Sequence, residues 1–141
     1  MIIRLRQSLG RGRGQEGAAA VEFAIVLPIL LLILAGLIDF GWGFYWKHTV
    51  TNASRAGARY ASLANYPSGT RTPYTAGQIQ TLVTTTYGSD LAVSVTGSNT
   101  AGATRSVTVT KTMTYFVAGI LIHWGVHLPT TISNTTSMTM E

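Results

Sequence analysis

The chain has 141 residues, 46% of them apolar and 11% charged, with no cysteine and a net charge of +5; its mean hydropathy is +0.27. This composition excludes a disordered chain, a disulfide scaffold and any cysteine-ligated zinc or iron–sulfur site. Arg4, Arg6, Arg11 and Arg13 against Glu16 give +3 in the first sixteen residues, ahead of a run without charge from Phe23 to Ile38. That is a membrane-topology pattern and not a nucleic-acid-binding face, so no nucleic acid is expected as a partner.

Residues 1–17 are rich in arginine and glycine and are predicted to form a flexible basic leader on the cytoplasmic side. Residues 18–46 are predicted to be a transmembrane helix. From Phe23 to Trp46 it would be about 35 Å long, enough for a hydrocarbon core of about 30 Å. Trp42, Tyr45 and Trp46, flanked by Phe40 and Phe44, form an aromatic belt that sets the exit at the headgroup level and makes membrane lipid a partner. The arginines place the N-terminus inside, although Lys47, Arg55 and Arg59 beyond the run make the asymmetry modest. A cleaved secretory signal is excluded, because the small residues Ala18–Ala20 precede the apolar run and no A-x-A site follows it. Pro28 is expected to kink the helix or loosen its hydrogen bonding.

Residues 47–64 continue the helical period with an amphipathic pattern. Trp46, Val50, Ala53, Gly57, Tyr60 and Ala64 form a narrow small-residue stripe, with Lys47, Thr51, Arg55, Arg59 and Ser62 opposite. Pro67 and Gly69 are expected to end it. Residues 65–141 form a head outside the membrane. All 21 threonines lie at or beyond Thr49, which favours strands. Thr75 caps a short helix over 77–86, with Ile79, Leu82 and Val83 on one side. One strand carries Leu91, Val93 and Val95, and 97–104 is a loop. The returning strand carries Val107, Val109, Lys111, Met113 and Tyr115, and a last strand runs from about 131 to 140 with Ile132 and Met138 inward. The fold class is therefore α+β: a long N-terminal helix, transmembrane and then amphipathic, packed by a small antiparallel β-sheet head with a short extra helix. In outline this is a lollipop, since some 80 residues without disulfides need the outer half of the helix as a spine.

Few residues suggest chemistry. The small pair Gly17–Ala18 is a candidate protease site, and a cut there frees an amine one helical turn from Glu22. Glu22 has two readings: it pairs with such an amine on its own or a neighbouring chain, fixing the register of packed helices, or it simply reaches water at the inner boundary. Asp39 is expected to reach water at the outer one. His123 and His127 have i, i+4 spacing, but Gly125 lies between them and no carboxylate is near, so neither metal nor cofactor is expected. No nucleophile elbow or phosphate loop is present, and the chain is not expected to be an enzyme. The glycosylation-type triplets at Asn52 and Asn134 are of the kind that arise by chance, and Asn52 lies close to the membrane. The stretch from Phe116 to Leu128, FVAGILIHWGVHL, reads either as a loop closing the head's core or as a docking surface for another subunit or the membrane.

Taken together, the basic leader, Gly17, small residues, Glu22 and a long apolar helix resemble the class III signal of type IV pilin-like proteins. More narrowly, GAAAVEFAIVLPILLLILAGLIDFGWGFY followed by TNASRAGARYAS resembles the TadE-like family of minor pseudopilins of tight-adherence (Flp-type) pilus systems, densely over about residues 17–63. Asp39 stands where glutamate is commoner in that family. The resemblance implies cleavage by a prepilin peptidase between Gly17 and Ala18, and Glu22 as the recognition and packing carboxylate. It also implies other pilins, pseudopilins and the inner-membrane assembly machinery as partners. The protein would sit in the bacterial cytoplasmic membrane with its head outside, and would enter a thin adhesive pilus. A head of this size suits a minor subunit, because the major pilins are little more than the helix. Gly36, Gly41 and Gly43 would let helices approach closely in a bundle. The competing expectation is a permanently anchored, unprocessed binding module.

Overall fold

The computed structural model describes residues 12–65, 72–123, 125 and 127–140. Most of the leader, Pro67 and Gly69 of the expected helix stop, and Trp124 and Val126 of the apolar stretch lie outside the described residues. The chain divides into two units, Met1–Ile38 and Asp39–Glu141.

The first helix, α1, spans Gly12–Ser62 and contains Pro28. It begins earlier than the flexible-leader reading allows. Ala18–Ala20 have the highest helix propensity available, and a helix nucleated in the apolar run propagates backward at little cost per residue. Pro28 lacks an N–H, so the Ala24 carbonyl loses its helical donor, yet α1 continues through it. In the first unit the helix is exposed on nearly every side, from Val21 through Ile38. Its most apolar window of 18 residues has a mean hydropathy of 2.8 with none of it buried. A surface of this kind is stable in lipid and not in water.

The second unit has the α+β architecture expected from the sequence. Beyond α1, Ala64–Asn65 (β1) pairs antiparallel with Thr72–Pro73 (β2), a small element that the sequence pattern does not announce. Helix α2 spans Ala76–Tyr87; Thr75 caps it, and Gln78 completes a capping box by accepting from the Thr75 N–H at 2.9 Å. Strands β3 (Ala92–Gly97), β4 (Thr104–Thr112) and β5 (Thr131–Thr139) form an antiparallel sheet in that order, and the six-residue helix α3 (Ala118–His123) lies between β4 and β5. Gly97 has φ +107°, and a Cβ there would stand 2.4 Å from the Thr104 carbonyl oxygen, so the β3–β4 turn needs glycine.

Alternation sorts the two sheet faces. Arg105, Val107 and Val109 of β4 point inward with Val93, Val95, Ile132, Asn134, Thr136 and Met138. The outer face carries hydroxyls that pair across strands, Ser106 with Ser137 at 2.7 Å and Thr108 with Thr135 at 2.8 Å. The threonines thus satisfy one another on the wet face while the valines build the core.

Candidate functional site

Two surfaces of α1 organise the molecule, and they differ in what they bury. The first is the face that receives the sheet. Val50, Ala53, Ser54, Ala58 and Ala61 are fully buried, and Gly57 is buried with them. The buried face is wider than the predicted stripe because Ser54, Ala58 and Ala61 fill its second row. Its residues are small because the sheet comes very close. A Cβ on Gly57 would lie 2.9 Å from Val107 Cγ1, 3.2 Å from Val83 Cγ2 and 3.7 Å from Ile79 Cγ2.

Strand β4 runs back along α1. Arg105 Nη1 donates to the Ala61 and Tyr74 carbonyls at 3.3 and 2.9 Å, Val107 faces Gly57, and Lys111 lies over the Trp46 ring at 4.1 Å. Six residues of strand cover about 20 Å, and the fifteen helical residues from Trp46 to Ala61 cover about 22 Å, so strand and helix stay in step. Arg105 is 3% exposed with its Nε unpartnered, and burial pushes its guanidinium below the ordinary arginine value. The Ala61 carbonyl belongs to the last turn of α1, where a cation is favoured by the helix dipole. Lys111 also pairs with Asp90.

A polar knot fixes the register of β5 on α1. Buried Ser54 Oγ donates to the Thr51 carbonyl at 2.9 Å, accepts from Asn134 Nδ2 at 2.6 Å and lies 3.0 Å from Thr136 Oγ1. Sequence reasoning passed over Ser54 and noted Asn134 only as the start of a glycosylation-type triplet. The available signal was their phase, since Ser54 follows Ala53 on the small face and Asn134 alternates with Ile132.

Asp39 departs from expectation. Predicted to reach water, it is 8% exposed, and its carboxylate accepts from the backbone N–H groups of Phe116 at 2.9 Å and Val117 at 2.8 Å. A carboxylate held back from water is stabilised by such donors. The bond ties the apolar excursion that begins at Phe116 to α1.

The second surface is exposed. Gly17, Ala18 and Glu22 lie on α1 in the first unit, all exposed, and no hydrogen bond or ion pair reaches Glu22 among the described residues. Nothing stands within 4 Å of a Cβ built on Gly36, Gly41 or Gly43, so each remains open to a neighbouring helix. Trp42 and Tyr45 are exposed with their rings 5.8 Å apart. Trp46 is different: half-buried, it packs against the head's core beneath Lys111, in phase with Val50 and Ala53. The i, i+4 premise for His123 and His127 fails, because α3 ends at His123. Among the described residues no three metal-ligating side chains converge.

The segment that carries the second surface and most of the first is similar to a known family. Residues 17–59 match the family model of TadE-like protein. No curated relative and no solved structure matches the chain. The TadE-like segment takes in Gly17, Glu22, the exposed apolar helix, the aromatic belt and the small stripe as far as Arg59, and leaves out α2 and the sheet. It suggests a component associated with Tad pili, and it implies association with pilus components in general. The single N-terminal apolar helix fits a single-pass membrane anchor.

Proposed function

We propose that the protein is a minor pseudopilin, a non-catalytic subunit that is processed by a prepilin peptidase between Gly17 and Ala18 and acts by helix packing in Tad pilus assembly. The observation that carries this reading is the coincidence, within one TadE-like match, of an apolar helix exposed on nearly every side with a carboxylate at Glu22 that has no partner among the described residues. A cut after Gly17 frees the Ala18 amine, which lies one turn from Glu22 and can neutralise it within the chain or across a helix contact. Because Gly17 lies in α1, the peptidase must unwind the helix locally. At glycine this costs less than at any residue but proline, about 1 kcal/mol less than at alanine. In a bundle, Gly36, Gly41 and Gly43 are where a neighbour would come closest. The head stays outside the membrane as the surface that other subunits meet.

The deciding measurement is the N-terminal residue of the mature protein by mass spectrometry. Ala18 is expected, and recovery of only the Met1 form from piliated cells would leave a tethered ectodomain. Glu22→Gln should insert normally and fail to enter the fibre, whereas wild-type piliation by this variant would remove Glu22 from the mechanism.

A further inference from the structure

Phe116 and Ile120, in the excursion from Phe116 to Leu128, are absorbed neither by the core of the head nor by the proposed role of α1. The base of the excursion is pinched by Tyr115 Oη donating to the Pro129 carbonyl at 2.9 Å and by Met113 N–H donating to the Thr130 carbonyl at 2.7 Å. Its thirteen residues contain no Asp, Glu, Lys or Arg. Val117 turns into the core at 6% exposure, but Phe116 is 88% exposed, the most exposed large apolar side chain among the described residues, and Ile120 is 52% exposed. A loop closing the core would bury these two.

The Asp39 tether fixes the height at which they stand. Trp42 and Tyr45 lie three and six residues beyond Asp39 on α1, or about 4.5–9 Å along the axis. Helical side chains lean toward the N-terminus, so the Asp39 carboxylate and the two N–H groups it holds lie at or below the level of residue 39, on the lipid side of the belt. Interfacial segments bury their apolar face about 5–10 Å into the headgroup and acyl boundary, which is this same interval. Phe40, next to Asp39, and Phe44 are likewise exposed, their rings 4.8 Å apart, so the apolar surface at this height is continuous along α1.

We propose that the start of the excursion, Phe116 to Ile120, is a second membrane contact. It is seated in the outer boundary of the bilayer in which α1 stands, and Asp39 sets its depth. The proposal needs α1 to span the membrane but does not depend on processing or on entry into a pilus. Because the sheet is already packed on the outer part of α1, a second contact would fix how the head is turned relative to the bilayer plane, and so the face it offers to a neighbouring subunit.

Because the chain has no cysteine, single labels can be placed at will. Phe116→Cys carrying an environment-sensitive fluorophore is compared with Asn99→Cys in the β3–β4 turn and Ile33→Cys in the apolar run. Each full-length chain is reconstituted at high dilution in phosphatidylcholine–phosphatidylglycerol vesicles. Lipid with a quencher on its upper acyl chain should dim the Phe116 label roughly fivefold more than the Asn99 label, and aqueous iodide should do the reverse. Equal iodide quenching at the two positions overturns the proposal. Shielding of Phe116 that appears only as protein density in the vesicle rises also overturns it, and makes a second copy the occupant. If the Ile33 label escapes lipid quenching, the span itself fails and the proposal with it. The N-terminus of the mature chain is read separately, so pseudopilin processing can fail while this contact stands.

Discussion

Gly57 and Val107 test how closely the sheet lies on the helix. In Gly57→Ala the new Cβ must share space with Val107 Cγ1 at 2.9 Å and Val83 Cγ2 at 3.2 Å. Both methyls belong to fully buried β-branched side chains, which cannot swing aside without leaving their rotamer. Replacing a helical glycine by alanine ordinarily gains about 1 kcal/mol, and overpacking costs about 1–3 kcal/mol. The balance is a net loss of about 1 kcal/mol where an exposed helix would show a gain. Val107→Ala alone removes two methyls worth about 0.8 kcal/mol each and leaves a cavity, for a loss of roughly 2–3 kcal/mol. In the double variant the alanine at 57 enters the space vacated at 107, so the helical gain returns and the clash with Cγ1 is gone. The double should therefore be more stable than the sum of the singles by about 1–2 kcal/mol. Hydrogen exchange at the slowest amides of β4, in the full-length protein in micelles, reads this as a difference of about tenfold in exchange rate for each 1.4 kcal/mol. Additivity within about 0.5 kcal/mol would mean that helix and strand do not meet at Gly57.

Three further outcomes are expected. Ser54→Ala leaves the Asn134 amide with only Thr136 Oγ1 at 3.4 Å and should cost about 1–3 kcal/mol in thermal or denaturant unfolding; no loss would show that water satisfies Asn134. Asp39→Ala should speed exchange of the Phe116 and Val117 amides by about 10–100-fold while β4 amides keep their protection, and unchanged exchange at both would mean that the tether is not formed. Gly17→Val should give a chain that stays about seventeen residues longer than the processed wild type in cells holding a prepilin peptidase; equal gel mobility of the two would rule out a cut at this bond.

What the sequence reveals is what neighbouring residues decide together. The long helix is legible because the apolar run and the small stripe share one period, and α2 because Thr75 and Gln78 sit three apart. The sheet is legible because valine and threonine alternate. The missing pieces are contacts across long loops. Asp39 and Phe116 are 77 residues apart, and nothing local at either position announces the other. Arg105 falls on the inward phase of β4 two residues before Val107, yet an arginine is ordinarily placed outside unless partnered. Its partners are two carbonyls, at Ala61 in the last turn of α1 and at Tyr74 just after β2. Trp46 stands in the aromatic cluster and on the small stripe at once, and only the position of Lys111 shows which role its ring takes.

The end of the TadE-like match at residue 59 has a physical reading. On the proposed function the helix meets lipid, fellow helices and a sheet, and is constrained at nearly every position of its length: apolar to span, glycine to approach a neighbour, alanine, serine and glycine to receive β4. The sheet faces lighter demands. To sit on the stripe it needs branched aliphatics at positions such as 107 and 109, a polar partner for Ser54 and a cation near the last carbonyls of α1, while its outer face needs only groups that satisfy one another in water. Many sequences meet those conditions. On the proposed function the helix would thus carry the features that assembly requires, and packing on α1 leaves the outer surface of the head open to the demands of whatever it contacts.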